Sequence, residues 1–320
     1  MANNFIDVSN IGNLIGTLFD SMSVRELRPE YIFDAMAQEK RWEMGRTPVK
    51  GDTMVFPLID AYSANTAALD PTSDDISVNA TTLSSSRRNV SLEAYGGHSV
   101  VDVFEAEPEA FTDLVADTGW AVRDQGFNSI NLLARQVMDL NKYSNEASGT
   151  ISSTYHSYGS SGTASNIGPL KAVDIRRVYT HLRSNNVQPW PDGYYRAIVD
   201  PKGAQQLRAE TGNDAWRTFQ NNNSVAGSEG IERAALGTFE GFAFFVNNQV
   251  LGNGTGTITS YFMGREACGK AVGSDLSVQP NRTLRGTHEN LLVIRWNALL
   301  GYKVVRRVAL HTVQHNDDSL

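Results

Sequence analysis

Histidines, acidic clusters and glycine-rich turns are the residues of this chain that could carry chemistry. His311 and His315 lie four apart, a spacing that lets two imidazoles meet on one helix face and share a metal. Their segment, LHTVQH, is β-branched and strand-like. On a strand, residues four apart sit about 13 Å from one another, so a shared metal is not expected. Two solvent-exposed histidines near the C-terminus are the expectation instead. GNGTGT at 252–257 is glycine-rich but lacks the third glycine of a dinucleotide fingerprint and precedes a strand, so it reads as a turn. No phosphate loop of the form G-x-x-x-x-G-K-[ST] and no G-x-S-x-G nucleophile elbow occurs. His98 follows Gly96-Gly97, where a turn is expected. Asp70, Asp74 and Asp75 cluster without the alternating acidic pattern, glycine and distant glutamate of a calcium loop. They read as a solvated loop, or as partners for cations of another copy. No Lys or Arg occurs between Lys50 and Arg87, whereas the return strand carries Arg87 and Arg88. The single cysteine, Cys268, forms no intrachain disulfide and reads as a packing residue. Neither a cofactor nor a metal is expected, and no catalytic constellation emerges.

Composition narrows the class. The chain has 320 residues, 41% hydrophobic and 20% charged, an ordinary balance for one elaborated domain or two linked ones. The net charge of −7 disfavours a protein whose task is to grip nucleic acid. The N-terminal MANNFIDVSN has no basic stretch followed by an apolar one, so no secretory signal is read there. No run approaches the roughly 20 apolar residues that span a bilayer, and the chain is expected to be soluble.

The elements come in a definite order. Residues 1–45 read as an arm with two helical pieces, one carrying Ile11, Leu14, Ile15, Leu18 and Phe19, the other running from Pro29 through Tyr31, Ile32, Ala35 and Met36 to Trp42. Their apolar faces have little local sequence to pack on, and a partner is expected to cover them. Val49–Ile59 and Asn89–Phe104 read as two strands, the second with a bulge at Gly96-Gly97. The long polar stretch between them is too poor in apolar residues for a core. Pro108 and Glu109 open a helix to about residue 142, far beyond the average of about 11 to 12 residues. A Gly/Ser-rich connection spans 144–168. Beyond it come a helix at Pro169–Asn185, a strand at Tyr194–Val199 and a helix at Pro201–Gly212. Strands follow at Gly237–Val246, Ile258–Met263, Leu291–Trp296 and Tyr302–Val313. Phe239, Phe242, Phe244, Val246 and Ile198 are the expected core of this region.

That order resembles the major capsid proteins of tailed bacteriophages, whose Hong Kong phage-type fold also builds encapsulins. VKGDTMVFPL at 49–58 is similar to the ascending strand of the family's extended loop. YYRAIVDPKGAQQLRAETG at 194–212 is similar to the axial strand that leads through Asp-Pro into a helix. GTFEGFAFFVNNQVL at 237–251, YFMGREACGKAV at 261–272 and RWNALLGYKVVRRVALHTVQ at 295–314 resemble the strands that follow. The resemblance implies an α+β subunit with an N-terminal arm (1–45), an extended β-loop (46–103), a peripheral domain with a long spine helix (104–168), an axial α/β domain (169–300) and a closing strand (301–320) returning to the peripheral domain. It implies a non-enzymatic protein that self-assembles, as hexamers and pentamers, into an icosahedral head around double-stranded DNA in the bacterial cytoplasm. Expected partners are a portal protein and, in some systems, scaffolding and decoration proteins. DNA would be enclosed without sequence-specific binding, and no membrane would take part. Only about 45 residues precede the extended loop, too few for a cleaved scaffolding segment. An encapsulin-like shell around cargo is the alternative. Inter-subunit contacts are expected from Trp42, Met54, Phe56, Asp70, Asp74, Asp75, Arg87 and Arg88.

Overall fold

The computed structural model describes residues 31–43, 46–59, 85–102, 108–143, 156–158, 167–211, 237–253, 256–282 and 291–316. The expected first arm helix, Asp70, Asp74, Asp75 and most of the Gly/Ser-rich connection lie outside them.

Three sheets organise these residues. The four-stranded sheet has the order β1-β11-β12-β4, from Gln38–Arg41 (β1), Cys268–Arg282 (β11), Leu291–Val304 (β12) and Glu93–Asp102 (β4). Its strands are antiparallel except for β1, which runs parallel to β11. The two-stranded sheet pairs Thr53–Ile59 (β2) with Ser85–Ser91 (β3). The seven-stranded sheet contains His156–Tyr158 (β5), Tyr195–Val199 (β6), Thr238–Phe239 (β7), Phe242–Val246 (β8), Gly252–Asn253 (β9), Thr257–Met263 (β10) and Leu310–Asn316 (β13). Its order is β5-β13-β10-β6-β8-β7, with β9 also on β10.

A long helix ties the sheets together. Pro108–Tyr143 (α2), 36 residues, spans about 54 Å at the rise of an α-helix. Val122 and Ile130 pack with Ile294, Trp296, Ala298 and Leu300 of the four-stranded sheet. Further along, Ala134 and Met138 enter the main core, which holds Phe33, Ile175, Leu182, Tyr195, Phe242 and Phe262. One helix therefore serves two cores, which is why its apolar positions run on for so many turns. Gly126 does not merely weaken it. A Cβ there would come within 2.4 Å of Leu276 Cδ1 and 3.1 Å of the Trp296 ring. From the sheet side, a Cβ on Gly97 would lie 2.7 Å from Trp296 Nε1. The two glycines make the slot that the indole fills. Gly96 and Gly97 accordingly sit in an unbroken ladder with β12, with no bulge, and His98 stands opposite Arg295 in a strand and not in a turn.

Local chemistry explains the smaller helices. Asp200 caps Pro201–Ala209 (α4) by accepting from Lys202 N at 2.8 Å, with Pro201 at the first position. In Ala172–Ser184 (α3), Ile175, Val178 and Leu182 recur at helical spacing and are buried.

Several expectations change. The second arm helix is a single turn, Ile32–Ala35 (α1), and residues 38–41 form β1. Ile32, Phe33, Met36 and Ala37 are buried in the chain's own main core, so no partner is needed to cover them. The expected strand at 89–104 is two strands of different sheets, parted at Leu92, whose side chain is fully buried. The expected strand at 237–246 is a hairpin. Glu240 (φ 46°) and Gly241 (φ 76°) supply the two left-handed residues of its turn. Phe239, Phe242 and Ile198 are core residues, but Phe244 is only partly buried and Val246 is exposed. The expected strands at 291–296 and 302–313 become β12, continuous to Val304, and β13, which starts at Leu310. Sheet membership also crosses the expected boundary at 300. β11 and β12 belong to the sheet under α2, whereas β13, near the C-terminus, lies in the seven-stranded sheet beside β10.

Candidate assembly surfaces

The segment from Tyr31 to Trp42 clasps both cores. Tyr31 donates its hydroxyl to Asp124 and stacks on Phe127 of α2. Phe33 meets Tyr261 of β10 edge-on at 5.3 Å. Asp34 N donates to Asn131 Oδ1, and the Asp34 carboxylate accepts from Tyr302 of β12 and from Lys270 Nζ of β11 at 2.8 and 2.9 Å. The Lys270 side chain is 13% exposed. Its ammonium has left most of its water behind and is compensated chiefly by Asp34, with Glu39 Oε2 further off at 4.0 Å. Burial, with the nearby Asp34 charge second, pushes the Tyr302 hydroxyl far above its ordinary range. Cys268 is buried beside this group, and desolvation, again ahead of the Asp34 charge, pushes its thiol up to about 12. A thiol held protonated is a packing group, as the sequence suggests.

The β2–β3 hairpin packs on other parts of the same chain. Met54 and Phe56 are buried with Val90, Leu92, Ala271 and Val305. Gly269 and Gly301 permit the approach. A Cβ on Gly269 would meet the Phe56 ring at 3.0 Å, and one on Gly301 would meet Ser91 O at 2.2 Å. This corrects the expectation that Met54 and Phe56 present themselves to a neighbour. Alternation along β2 turns the other side chains outward, leaving Val55 and Ile59 exposed. Trp42 packs against the same small core, donates Nε1–H to Arg46 O at 2.9 Å and lies under the Arg46 guanidinium. Arg87 and Arg88 are exposed on β3, and neither forms an ion pair among the described residues.

His311 and His315 are buried, against the expectation of exposed terminal histidines. β13 pairs with β5 and β10 on its two edges, and every residue from Leu310 to His315 is buried, so both its faces are covered. His315 Nε2 is 3.1 Å from Ser260 Oγ, and His311 packs on His181 with ring centroids 5.1 Å apart. Burial lowers the His181 pKa. A second polar network joins α2 to the seven-stranded sheet. Tyr261 donates to Asp139, and Arg135 donates to Gln249 O at 2.7 Å. Among the described residues no group of three or more His, Cys, Asp or Glu is placed to hold a metal, and no helix is long and apolar enough to cross a membrane.

These contacts describe two sheets bridged by one spine helix, with the β2–β3 hairpin packed beside the four-stranded sheet. Solved phage structures share this architecture. The capsid of cyanophage P-SCSP1u superposes with a TM-score of 0.64 at 12% identity, covering 96% of this chain and 95% of that one. The capsid of Ralstonia phage GP4 gives 0.64 at 14% identity, covering 95% and 96%. The head of Helicobacter pylori bacteriophage KHP40 gives 0.62 at 12% identity, covering 99% of each chain. No family model and no curated protein matches the chain in sequence. The described residues have the Hong Kong phage-type capsid fold, α+β.

Proposed function

We propose that this chain is the major capsid protein of a tailed bacteriophage, a structural subunit that self-assembles into an icosahedral head. The observation that carries this reading is the match to solved phage capsids over nearly the whole of both chains. In this reading residues 1–45 form an arm, 46–103 an extended loop, 104–168 and the strands paired over α2 a peripheral unit, and the seven-stranded sheet an axial unit. Copies associate as hexamers and pentamers and close by symmetry. A portal protein and, where the system uses them, scaffolding and decoration proteins complete the head in the host cytoplasm, around double-stranded DNA. The net charge of −7 supports enclosure of DNA without a sequence-reading interface. The reading assigns no catalysis to the chain. Sedimentation velocity of the purified protein, expressed alone and with its native assembly partners, tests it. The expected result is a fast-sedimenting population of very large particles in at least one condition. A single monomeric species in both would overturn the proposal.

A further inference from the structure

Three of the chain's six histidines sit between the seven-stranded sheet and the helices α3 and α4. His311 and His315 are four apart on β13 and so share one face of it. His181 of α3 packs on His311, with ring centroids 5.1 Å apart and planes at 52°. Gly203 of α4 lies over His315, where a Cβ would come within 2.9 Å of Cε1. Both helices therefore cover the same face. They are also tied to one another, since Leu170 N donates to Gln206 Oε1 and Ala172 N to Glu210 Oε2, each at 2.9 Å. Tyr261, opposite Thr312 in register, turns the other way, to Asp139 of α2. The spine helix and the α3–α4 layer hold opposite faces of one sheet.

The seam under α3 is built to favour neutral imidazoles. His311 is 5% exposed and His315 is fully buried, while His181 is half-buried, open enough for a proton to reach it. His315 lies 3.1 Å from Ser260 Oγ through Nε2 and 3.2 Å from the Asn316 carbonyl through Nδ1. The charged groups around the seam are mostly cations. α3 carries Arg176, Arg177 and Arg183, α4 carries Lys202 and Arg208, and Arg306 and Arg307 precede β13. Arg176 pairs with Glu240 at 2.8 Å, and Arg306 with Glu266 at 2.8 Å. The helices' own carboxylates, Asp174 and Glu210, stand where α3 begins, about two turns from His181. Arg177 is 3.6 Å from Asp174, and Glu210 accepts from Ala172 N. β10 and β8 carry no charged residue. Arg196 of β6, in register with Met263, is on the face turned away and pairs with Asp192. His156 of β5 is in register with Thr312 and not with His311.

We propose that the His181–His311 contact is an acid-sensitive latch, which holds α3, and α4 with it, on the seven-stranded sheet near neutral pH and releases that helical layer in mild acid. Protonating His181 sets a cation against a second imidazole, within a rim of arginines and away from most water. Protonating both sets two like charges side by side. Lifting α3 returns both rings to water, where each binds a proton at its ordinary value, so acid favours the opened layer. Burial already holds His181 below the ordinary imidazole value. α4 follows α3 because the Leu170–Gln206 and Ala172–Glu210 hydrogen bonds join them. The contacts of α2 with the opposite face contain no histidine among the described residues and are left in place. The latch belongs to the single chain and does not depend on assembly.

Hydrogen exchange of the full chain, as unassembled subunits, tests it at about pH 7.5 and about pH 5.5, after correction for the pH dependence of chemical exchange. One imidazole with an ordinary value of about 6.5 in the opened layer favours opening about tenfold at one pH unit below that value. The α3 and α4 amides should therefore open at least about tenfold more often at the lower pH, while the α2 amides from Val122 to Met138 change by less than about twofold. His181→Asn and His311→Asn should each lessen the rise, and the two together should abolish it. His98→Asn, on the four-stranded sheet, should leave it intact. Where a variant fails to fold, the wild-type profile and its midpoint decide. Opening of α2 in step with α3 and α4 would overturn the latch, as would a rise that survives the double substitution. So would a midpoint below about pH 4.5, which belongs to carboxylates such as Asp174 and Glu210.

Discussion

Replacing Phe56 with alanine separates a residue that builds the subunit from one that joins subunits. The ring is 7% exposed and fills a small core with Met54, Val90, Leu92, Ala271 and Val305. Gly269 gives it room on one side, and Lys40 Nζ stands 5.8 Å over its face on the other. Truncating a buried Phe to Ala costs about 3 to 5 kcal/mol, from lost transfer energy and the cavity left behind. This core is peripheral and can partly collapse, so the lower end, about 3 kcal/mol, is expected. The assay is urea unfolding of dissociated subunits, followed by far-ultraviolet circular dichroism and by protection of the β2–β3 amides. The variant should unfold at lower urea, and the hairpin amides should exchange faster before any assembly takes place. Val55→Ala, on the exposed face of the same strand, should change subunit stability by less than about 0.5 kcal/mol. A loss below about 1 kcal/mol for Phe56→Ala, with damage confined to assembled particles, would refute the inward orientation of the ring.

Three further outcomes follow from the same contacts. Asp34→Ala leaves the Lys270 ammonium with only Glu39 at 4.0 Å, and the protein should lose about 2 to 3 kcal/mol by denaturant titration, below the range for a fully buried pair because Asp34 keeps 29% exposure and Glu39 remains. Gly126→Val should drive a side chain into Leu276 and Trp296, cost about 1 to 3 kcal/mol and shift the Trp emission, which thermal melts and fluorescence will show. The His181 pKa is lowered by burial, so the unfolded chain binds the proton more readily. The contribution is intact above the unfolded value of about 6.5 and is lost as pH falls through the folded value. The wild type should therefore lose more melting temperature between neutral and mildly acidic pH than His181→Asn, and equal losses would contradict the assignment.

The parts of the fold legible in the sequence are those fixed by neighbours in sequence. Pro108 opens α2, Asp200-Pro201 caps α4, and Ile175, Val178 and Leu182 mark α3, because capping and a 3.6-residue period act within a few residues. What escaped depends on distant partners. Gln38–Arg41 has no strand character of its own and is extended because β11, more than 200 residues on, offers it an edge. Gly96-Gly97 resembles a bulge until Trp296 is seen beneath it. His311 and His315 look terminal and exposed, yet both faces of β13 are covered by the rest of the chain, so polar residues are carried inside with it. Met54 and Phe56 are expected from the sequence to face a neighbour but are buried in this chain's own core, because the period of two leaves open which face of β2 turns inward. The Asp34–Lys270 pair, 236 residues apart, left no local signal.

Cryo-electron microscopy of the purified particles tests the central claim most directly. The account predicts closed shells of icosahedral symmetry whose repeating density fits this subunit, with α2 lying beneath the four-stranded sheet and the hairpin reaching toward an adjacent copy. Preparations that contain only monomers or irregular aggregates, or shells whose density rejects this fold, would contradict it.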